Sequence, residues 1–276
     1  MKAYLPLHLL FINPQRLNTM ENQILGYKRT FTAPSGYKYT IREQNGADDD
    51  VLSNPSEVAD LMNISRFLAG IIVDTDYTPN RLMTPEEVHN LPVLDKWAIL
   101  FNSRIHSLGN ILEFEYDWGK EGGKVAYEQD LEDFLFDYAE IPSEEILLSK
   151  KDAIPFYPNG KVFTDIDFTT SRGNHLKFDL LTTKGEAYVM SLPLEKRTKN
   201  QSLIARNLRL EVEGRWDKVT NFSMFSVKEM NEIRRNVSSL DPTFYGTTTV
   251  INPSYPDMVG SVSLLSAKDF FYLEEI

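Results

Sequence analysis

The chain has 276 residues, enough for one large domain or two medium ones around a real core. Its composition, 42% hydrophobic and 25% charged, is that of a globular protein, and a net charge of −11 disfavours docking on a nucleic-acid phosphate backbone. Cysteine is absent, which excludes disulfides, thiolate metal sites and a cysteine nucleophile.

Residues 1–32 read as an N-terminal arm. Its apolar run, Tyr4–Ile12, is broken by Pro6 and His8 and is too short to span a bilayer, so neither a membrane segment nor a signal peptide is expected. The arm is apolar enough to fill a groove in its own fold or to add a strand to a neighbour. After Gly36, alternation predicts a strand over Tyr37–Ile41, followed by an acidic turn at Asp48–Asp50. Asn54-Pro55 then opens a predicted helix over Ser56–Val73, with Val58, Leu61, Met62, Ile64 and Leu68 on one face. A second helix is predicted over Val93–His106, with Leu94, Trp97, Ala98, Phe101 and Ile105 in one stripe and Gly109 as its stop. Two alternating stretches, Leu112–Tyr116 and Lys124–Tyr127, flank a glycine-bearing turn and predict a β-hairpin ribbon over 111–128.

The same order returns downstream. A strand is predicted over His175–Leu181, and a weaker helical segment over Ser202–Val212 gives way to alternation. A helix follows over Ser226–Val237, with Ser226 and Glu229 in capping-box spacing, and a second ribbon is predicted over 245–265. Gly36 aligns with Gly173 at an offset of 137, and Asp133-Phe134 with Asp269-Phe270 at an offset of 136. The expectation is an α+β fold of two similar halves arising by internal duplication, each strand, helices and ribbon in turn. The first half spans 33–141 and the second 142–276, loosely sharing one core.

Sequence motifs for chemistry are missing. There is no phosphate-binding loop, no dinucleotide fingerprint and no zinc-protease or serine-hydrolase motif. His8, His89, His106 and His175 have no metal-ligand spacing, and residues 45–57 do not keep the ligand spacing of a calcium loop. His106 reads as a cation at a helix C-terminus, and His175 as a surface or lightly packed residue on a strand. No catalytic residue, cofactor or metal is expected. The rival class is an acid–base enzyme built from distant carboxylates, which a concave carboxylate-lined pocket would favour. A nucleic-acid module would require a localised basic face.

The segment Leu94–Tyr116 (LDKWAILFNSRIHSLGNILEFEY), the ribbon after it, the leading APSG strand with IRE, and the closing AKDFFYLEE (267–275) resemble the baseplate hub-assembly proteins of T-even-type contractile phage tails. In many members of that family the ribbon tip carries paired cysteines of the CPxC kind as a zinc knuckle. Here the corresponding places hold Asp117-Trp118-Gly119-Lys120 and Asn252-Pro253-Ser254-Tyr255, so the metal does not carry over. The resemblance implies a non-enzymatic component or assembly factor of the baseplate hub, found in the virion or in the host cytoplasm during assembly. It implies other baseplate or tail proteins as partners, with self-association as a second option and no nucleic acid or membrane. Another structural adaptor of a phage or contractile injection particle is the near alternative. The tip residues Asp117, Trp118, Gly119, Tyr255 and Pro256 are the candidate interface, with Trp118 and Tyr255 as anchors, and both ribbons are expected to dock on partner proteins or on each other. For Trp118 the competing reading is packing on its own ribbon or on the facing half.

Overall fold

The computed structural model describes residues 27–54, 62–266 and 270–271. The arm up to Gly26, the 55–61 part of the predicted helix and Asp269 of the closing marker lie outside them. Strands β1 (Lys28–Thr32) and β2 (Lys38–Arg42) pair antiparallel, and β3 (Ile72–Thr75) joins the free edge of β2. Residues 28–32, assigned to the arm from sequence, are thus part of the first sheet. Their alternation is hard to read because Phe31 is the sole apolar side chain in KRTFT.

Helix α1 (Gly46–Ser53) replaces the acidic turn. Asn45 caps it, accepting from the Ala47 amide at 3.0 Å, while Asp48 accepts from the Asn45 amide at 2.8 Å. The acidic triplet thus lies at the positive end of a helix, and Asp48 also receives the Arg42 guanidinium at 2.7 Å. Helix α2 (Asn63–Ile71) stops short of the expected end because Ile72 onward turns into β3. The short α3 (Pro85–His89) starts from a capping box between Thr84 and Glu87.

Helix α4 (Val93–Leu108) is the centre of the molecule, and it corrects the expectation of a single apolar stripe. Every residue from Val93 to Ile105 is buried, including Asp95, Lys96, Asn102, Ser103 and Arg104. Each of these polar side chains is matched. Asp95 accepts from the Ser35 amide at 3.0 Å and the Ser35 hydroxyl at 2.5 Å, and Lys96 pairs with Glu186. Asn102 donates to Ala98 O at 2.8 Å, Gln44 donates to the Ser103 hydroxyl at 3.0 Å, and Arg104 donates to Gly109 O at 2.6 Å and Ile111 O at 3.1 Å. Satisfied polar groups allow a helix to be enclosed on all sides without a wholly apolar sequence.

Strands β4 (Ile111–Asp117) and β5 (Lys124–Asp130) form the first ribbon. A 3₁₀ turn (Leu131–Phe134) and α5 (Glu144–Ser149) lead into the second half. There β6 (Ile166–Thr169), β7 (His175–Phe178), β8 (Arg209–Val212) and β9 (Arg215–Lys218) make an antiparallel sheet in that order. Between β7 and β8 lie α6 (Thr183–Ser191) and α7 (Lys199–Ala205). The predicted 202–212 segment therefore splits into helix and strand, at Asn207, whose φ of 52° ends the helix. Helix α8 (Val227–Leu240) precedes the second ribbon, β10 (Thr247–Ile251) and β11 (Val259–Ser263). All strand pairings among the described residues are antiparallel and helices separate the sheets, an α+β arrangement.

Two turns in this fold are built alike. In the first, Ala33 N donates to Tyr37 O at 2.8 Å and Gly36 N to Ala33 O at 2.8 Å. In the second, Thr170 N donates to Asn174 O and Gly173 N to Thr170 O, both at 2.9 Å. Gly36 and Gly173 share a φ of 85°, a left-handed conformation that other residues adopt only at a cost. Each turn is held by a carboxylate from the first turn of a long helix. Asp95 of α4 receives Ser35, and Glu229 of α8 receives the Thr170 hydroxyl at 3.0 Å and the Asn174 amide group at 2.5 Å. Ser226 does cap α8, accepting from Glu229 N at 3.3 Å, but the Glu229 side chain is committed to this turn rather than to a full capping box.

One contiguous core runs through both halves. Phe101 of α4 is its aromatic centre, with ring centroids 5.8 Å from Trp97, 5.6 Å from Phe134, 5.8 Å from Phe244 and 5.8 Å from Phe270. The backbone joins the halves as well: Val93 N donates to Leu181 O at 2.9 Å and Thr183 N to Leu91 O at 2.8 Å. An extended bridge between Pro92 and Thr182 lies between these bonds.

Candidate interface on the paired ribbons

Alternation along the first ribbon separates two faces. Phe114, Tyr116, Val125, Tyr127 and Gln129 are sheltered, whereas Glu113, Glu115, Asp117, Lys124, Ala126 and Glu128 are exposed. The sheltered face meets the second ribbon. Tyr127 is the joint: its hydroxyl accepts from the Trp118 indole N–H at 3.0 Å and donates to Ile251 O at 2.9 Å. Thr248 donates to the Gln129 side-chain oxygen at 2.6 Å, and the Asn252 side-chain amide reaches Gly122 O at 3.5 Å. Two glycines permit the approach. A Cβ on Gly260 would stand 2.7 Å from the Tyr116 ring, and one on Gly122 would stand 2.4 Å from Trp118 Cβ and 2.7 Å from Asn252 Nδ2.

Trp118 is half-buried, packed edge-on against Tyr116 with centroids 4.6 Å apart. Its place is within the joint, so the indole serves the ribbons' own packing rather than standing free at the tip. Asp117 and Gly119 are exposed. They form the turn, with Asp117 accepting from the Gly119 amide at 2.8 Å and Gly119 at a φ of 77°. Tyr255 and Pro256 are exposed at the other tip, which the buried Asn252 folds by accepting from Ser254 N at 2.9 Å and Tyr255 N at 3.2 Å. Tyr255 is 50% exposed, and Ile251 and Val259 beside it are 53% and 62% exposed. Among the predicted site residues, then, Tyr255 has the accessible aromatic surface.

The joint residues Tyr116, Tyr127, Gln129, Thr248 and Gly260 are ones the sequence reading missed. Two signals pointed to them: a ribbon face too aromatic to meet solvent, and a glycine in the middle of a strand. Compared with known proteins, the chain matches no family model, no curated protein and no solved structure at a significant level.

The outer face of the first ribbon is acidic. Glu113 lies opposite Glu128 in the strand register, a like-charge pair that weakens the ribbon taken alone. Lys124 approaches Glu115 at 4.0 Å, with both side chains about two-thirds exposed, an ion pair worth little in water. Among the described residues no group of three or more His, Asp or Glu side chains has the arrangement of a metal site, and no helix is long and apolar enough to cross a membrane.

Proposed function

We propose that the chain is a non-enzymatic protein of a phage tail baseplate, a component or assembly factor of its hub, acting through protein contacts on the paired ribbons. The observation that carries this reading is the ribbon pair itself. Two hairpins, marginal in isolation, lock onto one another and leave two outward faces, an acidic one on the first ribbon and one on the second that bears the exposed Ile251 and Val259, with Tyr255 at its tip. A partner with basic side chains complements the acidic face and relieves the Glu113–Glu128 repulsion, and an apolar seat takes the Tyr255 tip of the second ribbon. The resemblance of Leu94–Tyr116 and the closing aromatic segment to hub-assembly proteins supplies the particle. The twin turns held by Asp95 and Glu229 support the proposal that the two halves arose by duplication.

The deciding experiment is to follow the tagged protein through tail assembly. It should copurify with baseplate hub intermediates or with the finished tail, and Tyr255→Ala should weaken that association by about 2 kcal/mol or more without lowering thermal stability. Absence from every assembly intermediate and from the particle overturns the reading.

A further inference from the structure

Away from the ribbons, α7 and α8 line a pocket, open to solvent on one side, of about 270 Å³. Lys199 and Ser202 reach it from α7, Arg206 from just past that helix's end, and Arg234 and Ser238 from α8. In a chain of 40 acidic and 29 basic residues, none of the side chains lining this cavity is a carboxylate. Arg206 is already neutralised, since its Nε donates to the buried Asp241 at 2.6 Å. The other two cations are not. Arg234 donates to neutral amide oxygens, Asn200 at 2.9 Å and Asn231 at 3.5 Å, and its buried Nε has no partner among the described residues. Lys199 is exposed and pairs with no carboxylate among the described residues.

We propose that this cavity binds a small phosphomonoester, its dianionic head held between Lys199 and Arg234. Two uncompensated cations match a dianion better than a carboxylate. Neutral amides orient the Arg234 guanidinium without discharging it, which leaves its charge available to a ligand. Ser202 Oγ accepts from Arg206, so its own proton is free to donate to a phosphate oxygen. The buried Leu203 and Val237 line the cavity, and Tyr245, 78% exposed, also borders it. The ligand therefore carries a compact apolar body, and the volume sits at the small end of ligand pockets.

The test is calorimetric titration of the full chain in phosphate-free buffer with phenyl phosphate, inorganic phosphate and benzoate. Phenyl phosphate should bind saturably at millimolar concentration or tighter. Inorganic phosphate, lacking the apolar body, and benzoate, lacking the second charge, should each bind roughly tenfold or more weakly. Arg234→Gln and Lys199→Gln should each weaken phenyl phosphate by about tenfold, while Arg235→Gln on the same helix should leave it unchanged. Lys199 is exposed, so its variant reports on the site even where Arg234→Gln disturbs folding. Absence of saturable phenyl phosphate binding, benzoate binding equal to it, or full binding by Lys199→Gln overturns the proposal.

Discussion

Gly246 lies flat against the indole of Trp97: a Cβ there would come within 2.1 Å of the ring's Cη2 and 2.6 Å of Cζ3. The contact sits where the second ribbon leaves the core, and Gly246 also holds a φ of 59°. Gly246→Ala must displace either the buried ring or the strand behind it, and it strains the backbone as well. Urea unfolding should report a loss of about 1–3 kcal/mol with an unchanged slope.

Tyr127→Phe removes the one hydroxyl that both accepts from Trp118 and donates to Ile251 O. The expected cost is about 1 kcal/mol, because the hydroxyl is partly exposed to solvent. The sharper readout is hydrogen exchange. Amides of both ribbons should exchange faster, while those of α4 keep their protection. Equal loss across the molecule would mean that the ribbons do not open as a unit.

Asp95 gives the fold a pH dependence. Burial pushes its carboxyl up to about 7 from 3.8, against the lowering effect of the Ser35 and Tyr39 hydrogen bonds. A folded-state value above the unfolded one means that the group's contribution to stability is complete below 3.8 and is lost as pH rises through about 7. The stability difference between the native chain and Asp95→Asn should therefore shift against the native chain across that window, by up to about 4 kcal/mol. A difference that stays flat from pH 4 to pH 7 contradicts the burial argument.

His175 couples the strands of the second sheet. Its Nε2 lies 3.0 Å from Asp167 and its Nδ1 2.8 Å from Glu211, so β7 holds carboxylates from β6 and β8 together when the ring is protonated. Hydrogen bonds to Asp167 and then Glu211 raise its pKa above 6.5. This contribution is complete below 6.5 and fades as pH rises through the folded value. An NMR titration should place the His175 midpoint above 6.5, and Asp167→Asn or Glu211→Gln should lower it.

The elements whose apolar residues repeat at a clear period were legible in the sequence: α4, α8, both ribbons and the strands after Gly36 and Gly173. The enclosure of α4 was not, because a stripe of Leu94, Trp97 and Phe101 says nothing about Asp95 or Lys96, which are matched by Ser35 and Glu186 distant in the chain, or about Arg104 and Asn102, which are matched by main-chain oxygens. Strand β1 escaped notice for want of apolar residues, and α1 because three consecutive aspartates favour a turn until Asn45 is seen as a cap. For the candidate site, sequence located the tips but not the joint. Whether Trp118 faces outward or inward depends on Tyr127 and Ile251 O, and the latter lies 124 positions away from Tyr127.

The ribbons have separate roots, one after α4 and one after α8, yet they are tied along their length, through Gln129–Thr248 toward the roots and through Tyr127 and Asn252 toward the tips. Mechanically this is an arch with two feet. A pull on the crown divides between both feet, and each hairpin resists as a braced column instead of peeling open one hydrogen bond at a time. Severing all of these ties, the Gln129–Thr248 bond included, would return two independent cantilevers, each compliant about its own hinge.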